Sequence, residues 1–236
     1  MYDEIRIVYE VISAVLCFIL VKFMIKPYEV TGESRYLGLP LGFGFLGATY
    51  AFSAFLYFQP YFFGRQSLYL QLVVRAFAFM FLTMTYYFSR KKAEDSRFLW
   101  NITITVLLVG LIITLLLLLS IPADILPSYQ LMSIFIRVFN LICIIYICAH
   151  TLRSHIEAPD PETIWIPLAY ILLGVSQYSL LIWIVDSSLF AFFAALAIRW
   201  ASLAIFLFVS YRTFYCIEKR RSNEANCTER PIENLR

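Results

Sequence analysis

Seven stretches of the chain are apolar almost without interruption, and each is about as long as the 20 residues a helix needs to cross a hydrocarbon core. They cover residues 5–25, 36–58, 67–89, 98–120, 129–151, 164–185 and 188–213. The polar positions between them are of the kind that ends helices: Lys26-Pro27, Gln59-Pro60, a charged run from Arg90 to Arg97, Ile121-Pro122 and Pro159-Asp160-Pro161. Only a short polar gap around Asp186 separates the last two stretches, so they read as a tight helical hairpin. The first stretch lacks a small-residue cleavage site and is too long for a signal-peptide core, so it is expected to remain as a helix. The pattern predicts an all-α, seven-transmembrane helical bundle over residues 1–215. The polar tail, residues 216–236, is expected to be disordered.

Composition points the same way. Of the 236 residues, 61% are hydrophobic and 15% charged, where soluble chains carry roughly 45–50% and about 25%. A chain this short cannot hide so much apolar surface from water, which implies a lipid bilayer around it. The net charge of +3 is small and scattered, and it argues against nucleic acid as a partner.

Loop charge predicts direction, because lysine and arginine are retained on the cytoplasmic side. With the amino terminus outside, the cytoplasmic segments hold fourteen basic residues, from Lys22 and Lys26 to Arg230 and Arg236, against Arg6 and Arg65 outside. The expected location is the cell membrane, with the amino terminus out and the carboxyl terminus in the cytoplasm.

The remaining arginines lie inside spans and reveal an internal repeat. Arg75, Arg137 and Arg199 are spaced by a uniform 62 residues on the third, fifth and seventh spans. Their contexts agree: Val74-Arg75-Ala76-Phe77, Ile136-Arg137-Val138-Phe139 and Ile198-Arg199-Trp200-Ala201. Gly47, Gly110 and Gly174 recur at similar steps on the even spans. This predicts one leading helix plus three tandem two-helix hairpins in parallel orientation, with three equivalent arginines around a common centre.

Each buried charge costs roughly 2.5–3.5 kcal/mol on insertion scales unless it is paired or hydrated. The three arginines lie about 12–17 Å below the outer boundary at 1.5 Å per residue. Gln71, Asn140 and Ser202 stand one turn away on the same helix faces. Tyr50, Thr114 and Gln177 reach a similar depth on the even spans, Glu10 enters the level from the first, and Asp186 caps it. The predicted ligand-binding set is Arg75, Arg137, Arg199, Glu10, Gln71, Asn140, Gln177 and Tyr50. With one acid among three guanidinium groups, the layer suits a small anionic ligand bearing a carboxylate, phosphate or sulfate. The competing reading is structural: the same arginines bond tyrosines, carbonyls and Glu10 and fix helix packing.

Several chemistries are excluded. A retinal Schiff base needs a lysine in the last span, and 188–213 has none. His150 and His155 sit near Cys148 at the end of the fifth span, better read as interfacial polar residues than as a metal site. Cys17, Cys143 and Cys148 fall in apolar helices as small core residues, and no disulfide is expected. The glycines from Gly42 lie within a helix and suit close helix packing. Cys216, beside Lys219-Arg220-Arg221, is a candidate for acylation. Asn101 and Asn226 match the glycosylation pattern in places where modification is not expected. The basic clusters Arg90-Lys91-Lys92 and Lys219-Arg220-Arg221 suit orientation, with anionic lipid or a cytoplasmic partner as the alternative. No catalytic motif appears, so the chain reads as non-enzymatic, with no cofactor and no metal. Three roles remain: a receptor-like or sensory binding module signalling through a separate partner, an accessory subunit of a larger membrane complex, and a small-anion transporter or channel.

Overall fold

The computed structural model describes residues 2–58, 66–89, 93–122, 125–157, 164–229. It is all-helical, and seven helices are each long and apolar enough to span a membrane. They are α1 (Tyr2–Met24), α3 (Gly38–Phe58), α4 (Gln66–Ser89), α5 (Ala93–Ser120), α6 (Tyr129–Glu157), α7 (Trp165–Asp186) and α8 (Leu189–Glu229). A short α2 (Lys26–Thr31) follows α1, with Pro27 in its first turn, where a missing N–H costs nothing. Gly32 ends it with a φ of 67°, a left-handed conformation open to glycine. A 3-10 turn, Ser34–Leu37, then leads into α3.

The predicted spans are present to within a few residues. The hairpin expected near Asp186 is also there: Ser187 adopts φ 53°, its N–H bonds the Trp183 carbonyl at 2.8 Å, and α8 begins two residues later. The tail departs from expectation. Residues 216–229 continue α8 as helix, and 230–236 lie outside the described residues. Glu218, Lys219, Arg220 and Arg221 are good helix formers, and extending an existing helix avoids the cost of nucleation. Arg65, Pro60, the Arg90-Lys91-Lys92 cluster and Pro159–Pro161 also lie outside the described residues.

Six of the spanning helices close a ring. Neighbours run α1, α3, α4, α6, α7, α8 and back to α1. The main core draws on all six, with Cys17, Phe43, Phe79, Ile144, Tyr170 and Phe206 among its buried members. α5 contributes nothing to that core. It packs on α4 through a small satellite of Val73, Val74 and Leu111 and is the least buried of the seven spans.

Two of the three predicted hairpins pack closely, α3 on α4 and α7 on α8, while α5 and α6 share no substantial contact. The glycine on each second helix packs on the helix before it: a Cβ on Gly47 would stand 3.0 Å from Cys17 Cβ on α1, one on Gly110 3.7 Å from Phe77 on α4, and one on Gly174 3.2 Å from Ile144 on α6. Packing through these glycines joins α1 to α3, α4 to α5 and α6 to α7, but α5 gains no comparable second neighbour. The reason lies in the faces. α5 offers Leu and Ile over most of its surface and a single glycine, so its neighbours gain little by enclosing it. α3, by contrast, offers Gly38, Gly42 and Gly47. A Cβ on Gly42 would fall 2.6 Å from Leu82 and 3.2 Å from the Ala78 carbonyl, so α3 and α4 approach closely.

Contacts between helix ends define two poles. Gln66 reaches the Ile121 carbonyl and Gln130 the Ile184 carbonyl near the pole that carries Glu4. At the pole that carries Gly38, Trp100 Nε1 donates to the Ser34 carbonyl at 2.7 Å.

Candidate functional site

The three repeated arginines do converge. Arg199, on α8, is 2% exposed, and Arg137, on α6, is 5% exposed. The Arg199 guanidinium sits 4.3 Å from the centre of the Tyr50 ring, and that of Arg75 is 5.2 Å from the same ring. Tyr50 thus receives two cations on one buried aromatic group, an arrangement its negative faces favour. Arg137 is within electrostatic reach of both Arg75 and Arg199.

Each arginine finds a different partner. Glu10 Oε1 on α1 lies 3.3 Å from Arg199 Nη2 and 3.4 Å from Nη1. Arg75 Nε donates to Thr49 Oγ1 on α3 at 3.4 Å, and Arg137 Nε to Ser133 Oγ, one turn earlier on α6, at 3.3 Å. Several buried atoms find no hydrogen-bond partner among the described residues: Glu10 Oε2, Arg199 Nε, Asn140 Oδ1 and Arg6 Nε. A cluster of buried polar atoms without partners calls for a physical account.

The expected polar companions need correction. Ser202 does not serve Arg199; its hydroxyl donates to the Ala169 carbonyl on α7 at 2.8 Å. The mirror bond, Ser176 to the Ala195 carbonyl at 2.8 Å, completes a two-point latch between α7 and α8. Thr114 bonds its own helix at Gly110 and, being on α5, lies outside the ring. Asp186 is exposed at the end of α7 rather than capping the layer. Gln71, Asn140 and Gln177 are buried on α4, α6 and α7, but none of them is the partner of its arginine.

A fourth arginine, read from the sequence as an outside residue, belongs to the assembly. The Arg6 guanidinium on α1 lies 4.3 Å from the ring centre of Tyr57, 5.0 Å from Phe192 and 5.8 Å from Trp183. These rings come from α3, α8 and α7, so Arg6 ties three helices together above the layer. Beside it, Tyr9 stacks on Trp200 at 4.2 Å, and Trp200 Nε1 donates to Ser13 Oγ and the Tyr9 carbonyl. Sequence reasoning passed over Arg6 because loop-charge counting treats any basic residue near a span end as solvent-exposed. The available signal was its position on the same face as Glu10, one turn away.

Among the described residues no group of His, Cys, Asp or Glu is arranged to hold a metal ion. Cys17 and Cys143 are buried thiols. Comparison with protein-family models, curated proteins and solved structures finds no match for this chain.

Proposed function

We propose that this chain is a non-enzymatic, receptor-like membrane module that takes a small anionic group at its arginine layer and passes the resulting change in helix packing to a separate partner. The observation behind this reading is a charge imbalance. Arg75 and Arg199 share the Tyr50 ring, Arg137 lies within electrostatic reach of both, and among the described residues the one carboxylate paired with this group is Glu10, on Arg199. In a low-dielectric interior, unbalanced guanidinium groups are costly, and a carboxylate, phosphate or sulfate relieves that cost through paired hydrogen bonds. The purely structural alternative accounts for Arg199 through Glu10 and for Arg75 through Thr49. It leaves Arg137, which is more deeply buried than Arg75, with one neutral hydroxyl.

Loop charge orients the Glu4 pole outward, so the ligand arrives from outside and the α8 extension lies in the cytoplasm. A second reading, an accessory subunit of a larger membrane complex, is favoured by α5, whose leucine and isoleucine side chains are largely exposed away from its contacts with α4 and the Ser34–Leu37 turn. Transport ranks behind both, because each spanning helix is continuous and midplane breaks are the usual mark of that class.

The test is thermal unfolding of the purified chain in lipid nanodiscs, in chloride against sulfate, phosphate and acetate at matched ionic strength. At least one oxyanion is expected to raise the midpoint by several degrees, and Arg137→Gln to abolish the rise. If no oxyanion shifts the midpoint, the layer is a packing device and the proposal fails.

A further inference from the structure

The ion pair within the arginine layer is incomplete in both senses. Glu10 gives Oε1 to Arg199, at 3.4 Å from Nη1 and 3.3 Å from Nη2, while its Oε2 has no donor among the described residues. On the other side of the pair, Arg199 Nε and Nη2 form no hydrogen bond among the described residues, Nη2 meeting Glu10 by charge alone. Both residues are enclosed, Glu10 at 4% and Arg199 at 2% exposure, so bulk water does not complete the pair. Asn140 Oδ1, on α6 one turn beyond Arg137, is a second buried acceptor without a donor.

A buried acceptor and buried donors left open on one pair call for a ligand that both accepts and donates. That requirement divides the oxyanions. A carboxylate, a sulfate or a phosphodiester brings acceptors alone at neutral pH. It would answer the guanidinium groups but set a bare oxygen against Glu10 Oε2, leaving that carboxylate oxygen unsatisfied. Inorganic phosphate and phosphate monoesters differ, because the second ionisation of a monoester falls at about pH 6, so a P–OH is held near neutrality at little cost. One ligand oxygen then donates its proton to Glu10 Oε2, while the others accept from Arg199 and from Arg75 and Arg137, the further cations of the layer. Arg75 keeps partial exposure, so an arriving ion meets a cation of the layer rather than the carboxylate, which would repel it.

We infer that the ligand of the arginine layer is a phosphate carrying a P–OH, either inorganic phosphate or a phosphomonoester headgroup of a lipid. Glu10 selects it over sulfate and phosphodiesters by accepting the P–OH hydrogen bond on Oε2. This selectivity rests on the anion reading above; the guanidinium groups alone would serve any oxyanion alike.

The test titrates the unfolding midpoint of the full chain, in nanodiscs of phosphatidylcholine at neutral pH and matched ionic strength, with inorganic phosphate, methyl phosphate, dimethyl phosphate and sulfate. Sulfate controls for charge and dimethyl phosphate for shape. Inorganic phosphate and methyl phosphate are expected to bind at least about tenfold tighter than the other two, the effect of one buried acceptor satisfied or left open. Glu10→Gln, whose amide can donate to sulfate, should shrink that gap to about threefold or less. Nanodiscs containing phosphatidic acid, with no phosphate added, separate the sources: a raised midpoint there assigns the site to a lipid headgroup, and an unraised one to the free ion. Equal binding of the four probes, tighter binding of sulfate, or an undiminished gap in Glu10→Gln would overturn the role given to Glu10 while leaving the anion site standing. No response to any probe, phosphatidic acid included, would remove the anion site itself. The ranking of the four probes on the native chain needs no variant, so it decides the matter even if Glu10→Gln fails to fold.

Discussion

α5 and α7 occupy equivalent places in the repeat, yet one stands outside the ring and the other is part of it. Each carries the recurrent glycine, Gly110 or Gly174, and each carries a polar residue about one turn later, Thr114 or Gln177. α7 packs on both α6 and α8, and Gln177 is buried at 3% exposure. α5 packs mainly on α4, and Thr114 satisfies itself on its own turn. The difference shows that a repeated pattern sets where a helix turns its small residue but not how many neighbours it gains. Neighbours are set by the rest of the face. α7 presents Ser176 to the α8 backbone, a cross-helix hydrogen bond that lipid cannot replace. On α5 the hydroxyls of Thr103, Thr105 and Thr114 all bond the carbonyl four residues earlier, leaving the outer faces to leucine and isoleucine.

The largest predicted effect lies in the ring. Glu10→Leu removes the carboxylate paired with Arg199 and leaves that guanidinium buried without a counter-charge among the described residues, which costs about 3–5 kcal/mol. Pairing it with Arg199→Leu removes both charges and should recover most of that loss, because replacing a buried ion pair with apolar residues is often neutral. The four proteins of this double-mutant cycle can be compared by denaturant unfolding in bicelles. If Glu10→Leu alone costs under about 1 kcal/mol, water or lipid reaches the layer freely and the ring is not closed around it.

Much of this architecture is readable in the sequence, and the parts that are not share a cause. Span positions follow from hydropathy because lipid imposes one simple requirement on every residue of a span. The convergence of Arg75, Arg137 and Arg199 follows from their constant spacing. Their partners do not follow. Thr49 and Glu10 lie on other helices, and choosing them over Gln71 or Ser202 needs the rotation of each helix about its axis. Gln71 is one turn from Arg75, so spacing alone favours it, whereas the close α3–α4 approach at Gly42 brings Thr49 within reach instead.

The second prediction sets Gly47 against Gly110. A side chain at Gly47 meets Cys17 Cβ at 3.0 Å, close to the α1 backbone, which cannot yield without moving the helix. Gly47→Val should therefore cost about 1–3 kcal/mol, the usual range for overpacking. At Gly110 the nearest atom is on the Phe77 ring at 3.7 Å, an ordinary contact with a half-buried side chain that has room to turn. Gly110→Val should stay within about 0.5 kcal/mol, since valine also favours helix over glycine. Thermal midpoints of the two variants give the comparison directly. Equal losses would mean that the α4/α5 seam is as tight as the α1/α3 seam, and the contrast between ring and outlier would weaken.

The smallest effect is expected at Thr114. Its hydroxyl donates to the Gly110 carbonyl at 2.7 Å, an oxygen already engaged in the helix ladder, so the bond adds little. Thr114→Val keeps the shape, replaces the hydroxyl with a methyl beside lipid and the α4 surface, and should change stability by no more than about 0.5 kcal/mol. It should also leave any oxyanion-dependent rise in the unfolding midpoint intact, whereas Arg137→Gln removes it. A loss of that rise in Thr114→Val would bring α5 into the arginine layer, because the hydroxyl would then have to act across a helix gap that its present bond, turned onto its own backbone, does not cross.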